Sequence, residues 1–146
     1  MKKIVIAIAL TMALSMASLV FAEDKYSISG EVIYSGGSNI YVCLHTMKTF
    51  ACFRKELPPR EFIQIVKADV GGKAPFSLKD VPKGEYLILV FVDENNNGKF
   101  DCDAWGSPIE PTCMYKPPLI KMHTNWYDQK FELDRDVGGL VLEFHD

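Results

Sequence analysis

No run of basic residues in this chain exceeds two, Arg54-Lys55 being the pair in its body, and the formal net charge is −3. Phosphate backbones are gripped by clustered lysine and arginine, so nucleic acid is excluded as an expected partner. Neither a Gly-x-Ser-x-Gly elbow nor a His-Glu-x-x-His helix occurs, and His45, His123 and His145 stand far apart. The common hydrolase arrangements are therefore missing, and each histidine is expected at the surface or in a loop. No cysteine belongs to a Cys-x-x-Cys pair, which removes the usual spacing of a structural zinc site. Helical periodicity is also lacking beyond the first two dozen residues.

What those residues contain is a secretory signal. Met1-Lys2-Lys3 is a positive start, Ile4 to Ala22 is uncharged and mostly apolar, and Val20-Phe21-Ala22 offers small residues at the two positions a signal peptidase reads. Residues 1–22 are accordingly expected to be cleaved, leaving 23–146 as one domain. A retained anchor is the competing reading, because the run approaches the roughly 20 residues that span a bilayer. Thr11, Ser15 and Ser18 thin its hydrophobicity and Glu23-Asp24 follow at once, which favours cleavage. No cysteine stands at the cleavage point to carry a lipid. The product is expected to be soluble, without stable membrane insertion, in the periplasm or at the cell surface.

All four cysteines, Cys43, Cys52, Cys102 and Cys113, fall in the exported part, so disulfides are the default expectation. Pairing Cys43 with Cys52 and Cys102 with Cys113 closes the shortest loops and loses least chain entropy. Free buried thiols and a four-cysteine zinc site are the alternatives.

Along residues 23–146, short alternating runs rich in β-branched and aromatic residues are broken by glycine, proline or asparagine. Strands are predicted at Tyr26–Tyr34, Ile40–His45, Phe50–Arg54, Phe62–Val66, Tyr86–Val92, Gln129–Leu133 and Leu140–Phe144, with sheet edges and loops around Phe76-Ser77-Leu78. The second and third would form a hairpin centred on Met47-Lys48, and the last two would flank a turn at Gly138-Gly139. Tyr86 to Val92 is apolar throughout, as expected of a strand covered on both faces. About seven strands without a helix predict a single antiparallel β-sandwich.

The segment with chemistry in it is Asp93-Glu94-Asn95-Asn96-Asn97-Gly98-Lys99-Phe100-Asp101. Asp93, Asn95, Asn97 and Asp101 place oxygen side chains at the first, third, fifth and ninth positions, the Lys99 carbonyl adds a further ligand, and Gly98 permits the sharp turn. This alternation predicts a structural Ca²⁺ loop. It follows a strand, so it is not a helix-loop-helix hand, and Ala104 replaces the glutamate that closes such a hand at the twelfth position. Affinity is therefore expected in the weak extracellular range, on the order of 0.1 to 1 mM. Asp103, one residue short, is a further possible ligand, and a plain Asn97-Gly98 hairpin turn is the alternative to a metal loop altogether.

Gly84-Glu85-Tyr86, the apolar strand, Asp93 to Asp101 and then Trp105-Gly106-Ser107-Pro108-Ile109-Glu110 resemble a widespread bacterial family of exported domains of unknown function. Its pattern reads Gly-x-Tyr, an apolar strand, Asp-x-Asn-x-Asn-Gly-x-x-Asp and Gly-x-Pro-x-Glu. The resemblance implies a transthyretin-like or carboxypeptidase-regulatory-like sandwich and carries no activity with it. Cys102, Cys113 and the proline-rich stretch through Pro118 depart from the pattern.

Trp105, Tyr115, Trp126 and Tyr127 surround the acidic loop in sequence, as either a stacking platform or a roof over the sandwich, the roof being favoured because aromatics bury large apolar areas. Glu110 is expected at the surface, with calcium ligation as its second possible role. Together these features predict a non-enzymatic binding module whose partner is a protein or a glycan. The alternatives are a hydrolase using carboxylates of the 93–110 region and a structural accessory subunit of an envelope complex.

Overall fold

The computed structural model describes residues 22–117 and 124–144. The predicted signal segment therefore lies outside the described residues, apart from Ala22, and so do His123 and His145. The fold is all-β: β1 (Lys25–Ile33), β2 (Asn39–His45), β3 (Ile63–Val66), β4 (Lys73–Pro82), β5 (Gly84–Asp93), β6 (Thr112–Met114), β7 (Phe131–Leu133) and β8 (Val137–Glu143). One sheet has the order β4-β1-β8; the other runs β3-β2-β5-β6, with β7 also pairing β5. The two sheets face each other across Ile28, Val32, Phe76, Leu140 and Leu142 from one side and Val42, Ile88, Val90 and Leu133 from the other.

Alternation in β5 explains why its sequence is apolar throughout. Ile88, Val90 and Val92 enter the space between the sheets, while Leu87, Leu89 and Phe91 point outward beneath a second cover built from Phe50, Phe53, Phe100 and Trp126. The strand is buried on both faces, as its composition predicts.

Three expectations are corrected. Phe50 to Arg54 is not a strand: Thr46 caps a one-turn helix, α1 (Met47–Phe50), through a capping box with Thr49. The turn beyond it brings Phe50 and Phe53 face to face at 4.9 Å between ring centroids. Residues three apart share a helix face, so two aromatics that a strand would point to opposite sides both turn inward. With the hairpin gone, β2 pairs β3 and β5 instead. Second, Gly138-Gly139 is no turn but lies within β8, which runs parallel to β1, so the sandwich is not wholly antiparallel. Third, α2 (Trp126–Gln129), capped by Asn125, precedes β7 where a longer strand is predicted.

All four cysteines are free thiols. Cys43 sits mid-strand on the outer face of its sheet, whereas Cys52 is exposed beyond α1. Cys102 packs against the outer cover, whereas Cys113 faces the space between the sheets. Each predicted pair is thus divided between different surroundings. Burial pushes the Cys43 and Cys113 thiols up to about 12, which leaves them protonated and unreactive at neutral pH.

Strand register collects three connections at one end. Ile33 pairs Lys73, Ile40 pairs Val66 and Asn39 pairs Asp93, so the segments 34–38, 67–72 and 94–111 all emerge there.

Candidate metal centre

Asp93 is the last residue of β5 and only 1% exposed, so its carboxylate is fixed by the sheet. One oxygen, Oδ1, accepts the Asn97 N–H at 3.0 Å and the other, Oδ2, accepts the Gly98 N–H at 2.9 Å, folding the chain back around it. Asn95 Oδ1 also accepts from Asn97 N at 3.0 Å, and Asn97 Oδ1 accepts from Lys99 N at 2.8 Å. On the other side, Asn95 Nδ2 and Asn97 Nδ2 both donate to Asp101 Oδ2, at 2.7 and 2.6 Å. The four side chains predicted as ligands are therefore drawn together in one hydrogen-bonded network. Gly98 has φ of +72°, the left-handed conformation its position requires.

No hairpin closes at Asn97-Gly98. The excursion closes where Val92 N donates to the Pro111 carbonyl at 3.0 Å, and β5 then pairs with β6.

Two carboxylates, two amide oxygens and a backbone carbonyl are hard ligands of the kind calcium takes. Among the described residues no three His, Cys, Asp or Glu side chains form a metal cluster, so an ion here would depend on the asparagines and the Lys99 carbonyl. Both amides now aim N–H groups at Asp101, partly neutralising its charge. Rotating an amide about χ2 exchanges its nitrogen for its oxygen. The residue types fit calcium, and these hydrogen bonds would compete with an ion for them.

Glu110 is not a surface residue. It is 7% exposed, and its two oxygens accept the backbone N–H of Glu94 at 3.1 Å and of Asp101 at 3.4 Å. It thus straps together the two ends of the loop. Burial raises its carboxyl above the usual range, the two N–H donors oppose this, and the charges of Asp101 and Asp93 add to the rise. Glu110→Gln removes the desolvation penalty but sets an amide against one of these part-buried N–H groups. An unsatisfied buried donor costs about 1 to 3 kcal/mol, so a net loss of about 1 kcal/mol is expected in urea unfolding without calcium. Wild-type stability in this variant would remove the strap from the account.

Sequence reading misses Phe100, which anchors the end of the loop. It is buried, 5.2 Å from the Phe91 ring and 5.5 Å from Phe53, tying the loop to the outer cover. One apolar side chain amid oxygen ligands was the available signal. Asp103 does not join the cluster, because its Oδ1 accepts the N–H groups of Trp105 and Ser107.

The aromatics do not form one platform. Trp126 is buried against Phe50, and Tyr115 meets Phe131 edge-on at 5.4 Å, while Trp105 and Tyr127 are exposed. Nor is His45 a surface base: it is fully enclosed in β2. The model of a family described as "Uncharacterized protein conserved in bacteria (DUF2141)" matches residues 31–138. Comparison with curated proteins and with solved structures finds no match.

Proposed function

Because this chain belongs to the DUF2141 family of bacterial proteins, we propose that it is an exported, calcium-stabilised β-sandwich acting as a binding module for a protein or glycan, with no reaction of its own. The observation that carries this reading is the gathering of Asp93, Asn95, Asn97 and Asp101 in one hydrogen-bonded network at the end of a doubly buried strand. The resemblance of the 84–110 pattern to exported domains with a transthyretin-like or carboxypeptidase-regulatory-like sandwich supports the same reading. Those four side chains and the Lys99 carbonyl would hold the ion. When bound, it supplies positive charge that neutralises the carboxylates and fixes the loop.

An ion that binds only the folded state must stabilise it. At about 10 mM calcium and a dissociation constant of about 0.1 to 1 mM, the gain is about 1.5 to 3 kcal/mol, or about 5 to 10 °C in melting temperature. Thermal unfolding of the purified protein in EDTA and then in calcium reads this directly. Asp93→Ala and Asp101→Ala are each expected to remove the calcium-dependent increment. A melting temperature indifferent to calcium would reduce the loop to a hydrogen-bonded turn.

A further inference from the structure

Trp105 is the most exposed aromatic among the described residues, 91% exposed at the tip of a hairpin that follows the acidic loop. That tip is rigidly built. Asp103 Oδ1 accepts from Trp105 N at 2.8 Å and from Ser107 N at 2.9 Å; Asp103 N donates to the Ser107 carbonyl at 2.9 Å and Gly106 N to the Asp103 carbonyl at 3.0 Å. A bridge between Cys102 and Pro108 closes the base. Holding an indole in water on so ordered a support is of no use to the core, which Trp126 serves instead.

Beside it lies a second pre-positioned group. The Arg54 guanidinium carbon stands 5.2 Å from the Phe53 ring centroid, and Arg54 lies alongside Gly106, where an added Cβ would be in ordinary contact at 3.5 Å from Nη1. The ring and the hairpin backbone flank the guanidinium, which the cation–π contact favours in this position. The ion pairs among the described residues are Lys73–Glu31, Lys130–Glu85 and Arg135–Asp134, so no carboxylate there neutralises Arg54. Its field reaches the Cys102 thiol, opposing the rise that burial causes there.

An exposed indole face binds the axial C–H face of a pyranose, and a fixed, unpaired guanidinium matches a planar carboxylate through two parallel hydrogen bonds. We infer that Trp105 and Arg54 form a subsite for an acidic glycan, a uronic acid residue stacking on the indole and pairing its carboxylate with the guanidinium. A protein partner fits less well. Stable protein interfaces bury roughly 800 Å² a side around an apolar centre, whereas Trp105 projects singly among Asp103, Ser107 and Arg54. The site deepens the binding-module reading and rests on it only for its neighbourhood: calcium in the adjacent loop would lessen repulsion of an anionic sugar by Asp101 and Asp103.

The test uses an oligogalacturonate and its fully methyl-esterified form, titrated into the ¹⁵N-labelled protein while the two indole N–H resonances are followed, in EDTA and in calcium. The acidic oligomer is expected to shift the Trp105 signal saturably and leave Trp126 unmoved. Trp105→Ala should abolish binding while keeping the Trp126 resonance, which shows that the fold persists. Arg54→Gln should weaken binding of the acid at least about tenfold and leave the ester unaffected. Absence of a saturable shift, survival of binding in Trp105→Ala, or equal affinity for acid and ester would each overturn the assignment. Calcium-dependent melting is read separately, so loss of either result leaves the other standing.

Discussion

Gly30→Ala is expected to destabilise the protein by more than about 3 kcal/mol and, at the marginal stability usual for one domain, to leave much of it unfolded. Gly30 lies mid-way along β1, between Phe76 of β4 and Leu140 of β8. A Cβ added there would stand 2.2 Å from the Leu140 carbonyl oxygen, 2.7 Å from its Cβ and 2.8 Å from its carbonyl carbon. Two of those atoms are backbone, so relief requires β8 to part from β1. That separation would expose Ile28, Val32, Leu140 and Leu142, which close the core on that side. Overpacking of a well-filled core ordinarily costs about 1 to 3 kcal/mol, and loss of a strand pairing adds to it. Gly37→Ala is the matched control, since nothing lies within 4 Å of its added Cβ. It is expected to be neutral or slightly stabilising through the unfolded chain. Urea midpoints decide: a Gly30→Ala protein within about 0.5 kcal/mol of wild type would mean that β1 and β8 are not in this register.

The same pairing shows where sequence stops being informative. Alternation in Tyr26 to Ile33 and the apolar run of Tyr86 to Val92 each follow from burial of one or both faces, so both strands are legible from local pattern. Gly138-Gly139 is ambiguous, because a glycine pair serves a turn and a close strand approach equally well. Only the position of Leu140 against Gly30 decides between them, and that contact spans more than a hundred residues. Phe50, Cys52 and Arg54 alternate by accident, since a one-turn helix is too short to display its period. The Thr46 to Thr49 spacing was the better signal.

The clustering of Asp93, Asn95, Asn97 and Asp101 was legible because their spacing is local. What stabilises the loop is not. Phe100 anchors one end by reaching Phe91 and Phe53, Asn39 reaches Asn96 at 3.4 Å, and Glu110 returns from the far side of the Trp105 hairpin. A short motif specifies which side chains come together; tertiary contacts determine how firmly they are held. Phe53 connects the two candidate sites, touching Phe100 at the loop and supporting Arg54 at the hairpin.

Acid should loosen the outer cover through His45. The imidazole has no exposed surface, neither ring nitrogen finds a hydrogen-bond partner among the described residues, and Phe50 and Phe53 stand edge-on at 6.2 and 6.4 Å. Burial lowers its pKa from 6.5 to about 4, with the Thr49 backbone opposing weakly. The folded protein therefore holds His45 neutral while the unfolded chain binds a proton below pH 6.5. The stabilisation is complete above that value, falls as pH drops, and is lost once the folded state also protonates near pH 4. At about 1.4 kcal/mol per pH unit the loss amounts to about 3 kcal/mol between about pH 7.5 and about pH 4. Glu110 acts in the opposite sense: its raised pKa makes the folded state take up a proton first, so its contribution improves as pH falls. His45→Phe removes the first effect and leaves the second. In urea unfolding at the two pH values, wild type should lose about 3 kcal/mol more than His45→Phe. Trp126, packed against Phe50 under the same cover, should report the opening by a red shift in fluorescence. Equal losses in the two proteins would show that His45 is solvated, and that the cover over Leu87 and Leu89 is looser than its packing indicates.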